Sequence, residues 1–162
     1  MKIGRAECQG LDRALSLEWL ETNGRGGFAS GTVAGANTRR YHALFLTARK
    51  PPAERFVLVS HLDEWLDLNG PLFGRSTNLY PGTVYPSGYT HCVEFSSDPW
   101  PTWTFDCGGV MVQREVLCVT GRDVVIVRWK LLSTNNTPLV LRVRPMLSGR
   151  NYHNTHHENS AL

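Results

Sequence analysis

From about Thr90 onward, β-branched and aromatic residues alternate with polar ones and turn-forming residues recur at short intervals. That is the pattern of consecutive β-strands. The clearest run is Thr102 to Cys107, Val110 to Val119, Val124 to Leu132 and Pro138 to Pro145, separated by Gly108-Gly109, Gly121-Arg122-Asp123 and Asn135-Asn136. The separators tolerate positive φ or bond their own backbone, so they predict turns. Three turns joining four strands predict an antiparallel meander. Val110, Val112, Val116 and Cys118 share one face of it, with Gln113 and Glu115 on the other. Val125, Val127, Trp129 and Leu131 likewise oppose Arg128 and Lys130, which predicts a core position for Trp129.

Earlier, Arg40 to Thr47 and Phe56 to His61 read as strands, and Asp63 to Leu68 with Pro71 to Phe73 read as a hairpin about Asn69-Gly70. The stretch Arg75 to Gly88 holds Pro81, Gly82, Pro86 and Gly88 among aromatics, which predicts an ordered surface loop. Helix-like apolar spacing is confined to Leu11 to Leu20, at Leu11, Leu15 and Trp19, enough for a turn or two. A sheet apolar on one face must cover that face, so the fold class is all-β, an antiparallel two-layer β-sandwich.

At 162 residues the chain is long enough for one domain that buries roughly 70% of its unfolded surface. Lys+Arg 17 against Asp+Glu 14 leaves a net charge of +3, too small and too scattered for a nucleic-acid binder. Apolar runs such as Val124 to Val127 fall far short of the ~18 residues of a membrane-spanning helix. The first residues lack the apolar core and cleavage site of a secretory signal, which predicts a cytoplasmic protein. Cys8, Cys92, Cys107 and Cys118 form no CxxC pair, so they are expected as buried free thiols rather than a metal or redox site.

Gly24-Arg25-Gly26-Gly27-Phe28-Ala29 has the form G-x-G-x-x-G/A, but a glycine-punctuated, β-prone stretch follows it instead of a helix. It predicts tight backbone crossings at a sheet corner and no dinucleotide cofactor. His153, His156 and His157 have helical spacing without a completing cysteine, and read as a solvated segment with no metal. Asn135-Asn136-Thr137 matches a glycosylation acceptor but has no signal peptide to accompany it. Glycosidic hydrolysis needs two carboxyl groups ~5 to 9.5 Å apart. Asp63, Glu64 and Asp67 are the nearest candidates, and their hairpin setting predicts that they face solvent. No GxSxG elbow occurs, so no catalytic residue is assigned. Aromatics are plentiful, and flat rings stack on sugar faces. Most belong to the core, whereas Tyr80, Tyr85, Tyr89 and Trp100, in Pro/Gly-rich loops, are candidates for surface recognition.

The unbroken run Glu18-Trp19-Leu20-Glu21-Thr22-Asn23-Gly24-Arg25-Gly26-Gly27-Phe28-Ala29-Ser30-Gly31-Thr32-Val33-Ala34-Gly35-Ala36-Asn37-Thr38-Arg39-Arg40-Tyr41-His42 resembles the signature of the N-terminal domain of bacterial and archaeal type glycogen debranching enzymes. The likeness continues through Leu79-Tyr80-Pro81-Gly82, Pro86-Ser87-Gly88-Tyr89 and Asp98-Pro99, and ends at Arg150-Asn151-Tyr152-His153. It departs from the family pattern at Phe28, Ala43 and Asn151. The resemblance implies a supersandwich, galactose-mutarotase-like β-domain over residues 16–162, after an N-terminal extension of residues 1–15. It also implies a position before an (α/α) barrel that carries amylo-α-1,6-glucosidase chemistry, sometimes with 4-α-glucanotransferase activity.

With the barrel absent from this chain, the implied role is accessory: docking on the barrel and contacting the α-glucan, glycogen or maltooligosaccharides, without a cofactor. Asn23, Arg39, Arg40, Tyr41, His42, Arg150, Tyr152 and His153 are the motif residues implied to contact glucan or hold loops, with Tyr80 and Trp100 as loop aromatics. The alternatives are a free-standing α-glucan-binding module, or a structural domain whose surface meets the barrel or a second copy of itself.

Overall fold

Two antiparallel sheets close over the main apolar core in the computed structural model, which describes residues 1–134 and 138–155, and a smaller cluster of Ala43, Leu46 and Val57 packs with Phe28 and Tyr152. In chain order the elements are β1 (Lys2–Gly4), α1 (Arg5–Gln9), α2 (Leu11–Ser16), β2 (Glu18–Thr22), β3 (Phe28–Thr32), β4 (Ala43–Lys50), β5 (Ala53–Asp67), β6 (Leu72–Gly74), β7 (Thr77–Tyr80) and β8 (Thr83–Ser87). A 3-10 turn (Gly88–His91) follows, then β9 (Cys92–Ser96), β10 (Thr102–Cys107), β11 (Val110–Cys118), β12 (Val125–Ser133) and β13 (Val140–Asn151). One sheet runs β1-β9-β10-β11-β12 and the other β13-β5-β4-β3-β2, with β6 added to the end of β5; β7 and β8 pair by themselves. The class is the expected all-β sandwich.

Alternation along the strands explains the core. Trp103, Phe105 and Cys107 of β10 and Val110, Val112, Val116 and Cys118 of β11 point inward against Trp19, Ala29, Val33 and Leu66 from the opposite sheet. Trp103 is the pivot: its ring meets Trp19 edge-on at 5.3 Å and Phe95 at 4.9 Å, and its indole N–H donates to the Val33 carbonyl at 2.8 Å. The N-terminal extension is woven into the same fold, with β1 paired to β9 and with Ile3, Cys8 and Ala14 buried. All four cysteines are buried and free.

Four sequence expectations need correction. The meander stops after three strands, because the fourth, β13, leaves β12 and pairs with β5 in the other sheet. Charge favours that pairing: Arg144 of β13 faces Asp63 of β5 directly and bonds it at 2.7 Å, and Arg142 reaches Asp67. The stretch Arg75 to Gly88 holds the hairpin β7–β8, turning at Pro81-Gly82 with φ +75° at Gly82, and it tolerates Pro86 because the ladder has only two strands. Asp63 and Glu64 are buried, not solvent-facing. Trp129 is only half-buried, since β12 is a sheet edge. The Asn69-Gly70 hairpin forms as expected, with both residues at positive φ. The Asn135-Asn136 turn, the Asn135-Asn136-Thr137 pattern, His156 and His157 lie outside the described residues.

Candidate functional site

The two ends of the motif meet at one corner of the β-sandwich. The Arg150 guanidinium donates to the Arg40 carbonyl at 2.5 Å and to the Asn154 carbonyl at 2.7 Å, while Arg40 donates to the His153 carbonyl at 3.1 Å. Tyr41 and His153 share a hydrogen bond of 3.2 Å between Oη and Nδ1, and the Tyr41 ring leans on Tyr152 at 5.2 Å. Arg55, on β5, donates to Tyr152 Oη at 3.3 Å and to the Gly26 carbonyl at 2.8 Å, which ties the glycine loop to the same corner. Burial lowers the Arg150 pKa from its ordinary value. Five of the ten residues singled out from the sequence, Arg40, Tyr41, Arg150, Tyr152 and His153, are thus assembled, and their polar atoms mostly bond one another.

Beside them, Arg39 bonds Glu18 at 2.6 Å, and the buried His42 accepts from the Thr38 amide on Nδ1 at 3.1 Å with Glu18 3.5 Å from Nε2. Burial lowers the His42 pKa more than Glu18 raises it, so the ring is neutral at pH 7. Asn23 is an internal clamp. Its Oδ1 accepts from the Arg25 and Gly27 amides at 2.8 and 3.0 Å, and its Nδ2 donates to the Arg122 carbonyl and to Asp123 at 3.1 and 3.0 Å. A Cβ on Gly27 would sit 2.6 Å from that Nδ2 and 2.9 Å from the Leu46 carbonyl, which is why the loop needs glycine there.

Tyr80 and Trp100 stand apart from this corner. Tyr80, 55% exposed at the tip of the β7–β8 hairpin, lines a groove of about 250 Å³. Polar side chains line the same groove: Asn37, His61, Asp63, Asn78 and Arg144. Asn78 donates to Asp63 Oδ1 at 2.8 Å and Arg144 to Oδ2 at 2.7 Å. Burial raises the Asp63 pKa, but those two donors outweigh it and hold the carboxyl below its usual value. Burial lowers the His61 pKa against the pull of Asp63. An exposed tyrosine ring beside fixed donors and acceptors suits a polyhydroxylated ligand. Trp100 lies elsewhere, over a shallow hollow of about 210 Å³ formed with Glu115, Leu117, Ile126 and Arg128 on the outer face of the other sheet.

The sequence reading missed the most constrained charges. Glu64, fully buried, bonds both Arg75 and Arg114, the latter at 3.3 Å, and accepts from the Trp129 indole at 3.1 Å. Arg114 also stacks on Trp103, with Cζ 4.1 Å from the ring centre. Burial pushes the Glu64 pKa up, but the Arg114 and Arg75 guanidinia outweigh it and hold the carboxylate ionised. Among the described residues no group of three or more His, Cys, Asp or Glu is placed to hold a metal ion. No helix among them is long and apolar enough to cross a membrane.

The family model described as glycogen debranching enzyme N terminal matches residues 17–162, nearly the whole chain. No curated protein and no solved structure matches it.

Proposed function

Because the chain belongs to the glycogen debranching enzyme N-terminal family, we propose that it is the accessory β-sandwich of such an enzyme, one that docks on the catalytic (α/α) barrel and contacts the α-glucan. The observation that carries the glucan half is the groove that the exposed Tyr80 lines together with the polar side chains of Asn37, His61, Asp63, Asn78 and Arg144. Its 250 Å³ lies below the roughly 300–1,000 Å³ of sites for drug-sized ligands, so it suits one sugar unit rather than a length of chain.

Catalysis of α-1,6 hydrolysis belongs to the barrel in this reading. A glycosidase acid needs a raised pKa. The two buried carboxyls among the described residues, Asp63 and Glu64, are instead both held low with the help of arginines. Docking is supported by an apolar groove of about 330 Å³ between the two sheets, lined by Val125, Val127 and Trp129 of β12 and Val143 and Pro145 of β13. Both strands end their sheets, so their outer edges have no partner strand among the described residues. Four free, buried thiols fit a reducing compartment, so the proposed location is the cytoplasm.

The test is a titration of the chain with maltooligosaccharides and glycogen, followed by calorimetry, alone and mixed with a separately produced catalytic barrel. The expected result is saturable binding that weakens at least tenfold in Tyr80→Ala and is unchanged in Trp100→Ala, which lies away from the groove. Binding indifferent to Tyr80→Ala, or absent at millimolar sugar both with and without the barrel, overturns the groove as a glucan contact.

A further inference from the structure

Inside the β-sandwich one carboxylate faces two guanidinia. Glu64 is fully buried, as is the Arg75 side chain, and that of Arg114 is only 12% exposed. The cluster therefore carries one uncompensated positive charge in the core. Its hydrogen bonding is incomplete in the same sense: Arg75 Nε, Arg75 Nη1 and Arg114 Nε are buried donors without an acceptor. An unpaired buried charge is costly, and so is each buried donor left without a partner.

A cleft between the sheets reaches this cluster at Glu64 and Arg114 but not at Arg75. Glu64 and Arg114 line it together with Ser60, Ser76, Asn37 and His61, and its volume is about 40 Å³. A space of roughly 10–15 Å³ holds one water, so the cleft has room for a few atoms and none for a sugar ring. The excess charge is cationic, Arg114 is the guanidinium that reaches the cleft, and the space is small.

We propose that this cleft is a site for one small monovalent anion, a halide or a short carboxylate, held by the Arg114 guanidinium and the hydroxyls beside it. The anion balances the charge that Glu64 leaves over. It acts on the domain as a structural ligand, since binding to the folded state alone stabilises that state by mass action. This site stands independently of the glucan groove, which presents an exposed ring and a larger space.

The experiment uses the 162-residue chain equilibrated in sodium gluconate, whose anion is too large for the cleft, with ionic strength held constant. Sodium chloride, bromide and formate are each titrated in while the melting temperature and tryptophan fluorescence are read. Trp19 lines the cleft, Trp103 stacks on Arg114 and Trp129 bonds Glu64, so the emission reports on the site directly. The expected result is a saturable rise in melting temperature, on the order of 5–10 °C at a hundredfold excess over Kd. It is abolished in Arg114→Met and retained in Lys50→Gln, which alters an exposed pair between β4 and β5. A response to the halides but not to formate assigns a halide site, and the reverse assigns a carboxylate site. Should Arg114→Met fail to fold, chlorine-35 line broadening on the unmodified protein, competed by formate, measures the same binding. Chloride, bromide and formate all behaving as gluconate overturns the proposal and leaves a cleft that holds water only.

Discussion

Replacing Glu64 by glutamine keeps the shape of the side chain and removes its charge, so it isolates the electrostatics of the core. The carboxylate accepts from Arg75, Arg114 and the Trp129 indole at once. The amide has one acceptor oxygen, and its NH₂ group turns a donor toward guanidinium donors. Both arginines then lie in the core without a counter-charge, the situation in which breaking a buried pair costs about 3–5 kcal/mol. For a chain of 162 residues each kcal/mol shifts the melting temperature by roughly 2–4 °C, so Glu64→Gln is expected to melt on the order of 6–20 °C lower.

Two companion variants separate charge from contact. Lys50→Gln removes an exposed ion pair and stays within about 1 kcal/mol of the parent. A triple change of Glu64→Leu, Arg75→Leu and Arg114→Met removes every charge together, and is expected to be less destabilising than Glu64→Gln alone. Urea and thermal melts followed by tryptophan fluorescence read all three, and the deficit of Glu64→Gln should shrink in chloride if the cleft takes an anion. A Glu64→Gln variant within about 1 kcal/mol of the parent refutes the account of an uncompensated core charge.

Asn23→Ala removes four hydrogen bonds, two within the glycine loop and two that join it to the β11–β12 turn, at a cost of roughly 2–4 kcal/mol in a urea melt. Faster hydrogen exchange should be confined to the Arg25 and Gly27 amides and the turn, whereas unchanged stability would free Asn23 for a ligand role. Acid acts in two stages. Burial holds His42, His61 and His91 below the ordinary 6.5, so the unfolded chain takes up these protons first and stability falls as pH drops from about 6.5 through the lowered values. Glu64 and Asp63 are likewise low against 4.5 and 3.8, which adds a steeper loss below about pH 4.5. A melting temperature that rises between pH 7 and pH 6 contradicts the histidine assignment.

Sheet membership was harder to read than strand position. The strands β10, β11 and β12 lie within a residue or so of their expected limits, because alternation and glycine turns are local signals. Which sheet β13 joins depends on partners far along the chain, Asp63 and Asp67, and no local pattern carries that. The β7–β8 hairpin was hidden for a related reason. Its prolines read as loop residues, yet a strand in a two-stranded ladder has one side where a missing N–H costs nothing.

The corner of Arg40, Tyr41, Arg150 and Tyr152 was legible only as two ends of a motif, since their contact spans more than a hundred residues of chain. The Glu64 cluster had a local signal that went unused. Leu62, Glu64, Leu66 and Leu68 occupy alternate positions, as do Val112, Arg114 and Val116, so each charge falls on the face that its apolar neighbours turn inward. Taken singly, a charge on an apolar face looks like a strand that ends or twists to solvent. Taken together, an acid and a base at inward positions of two strands predict each other, because neither can be buried unless the sandwich sets them opposite. The third member shows where that logic stops: Arg75 follows β6 outside any alternating strand, and only the folded chain reveals the cation that leaves the core one charge in excess.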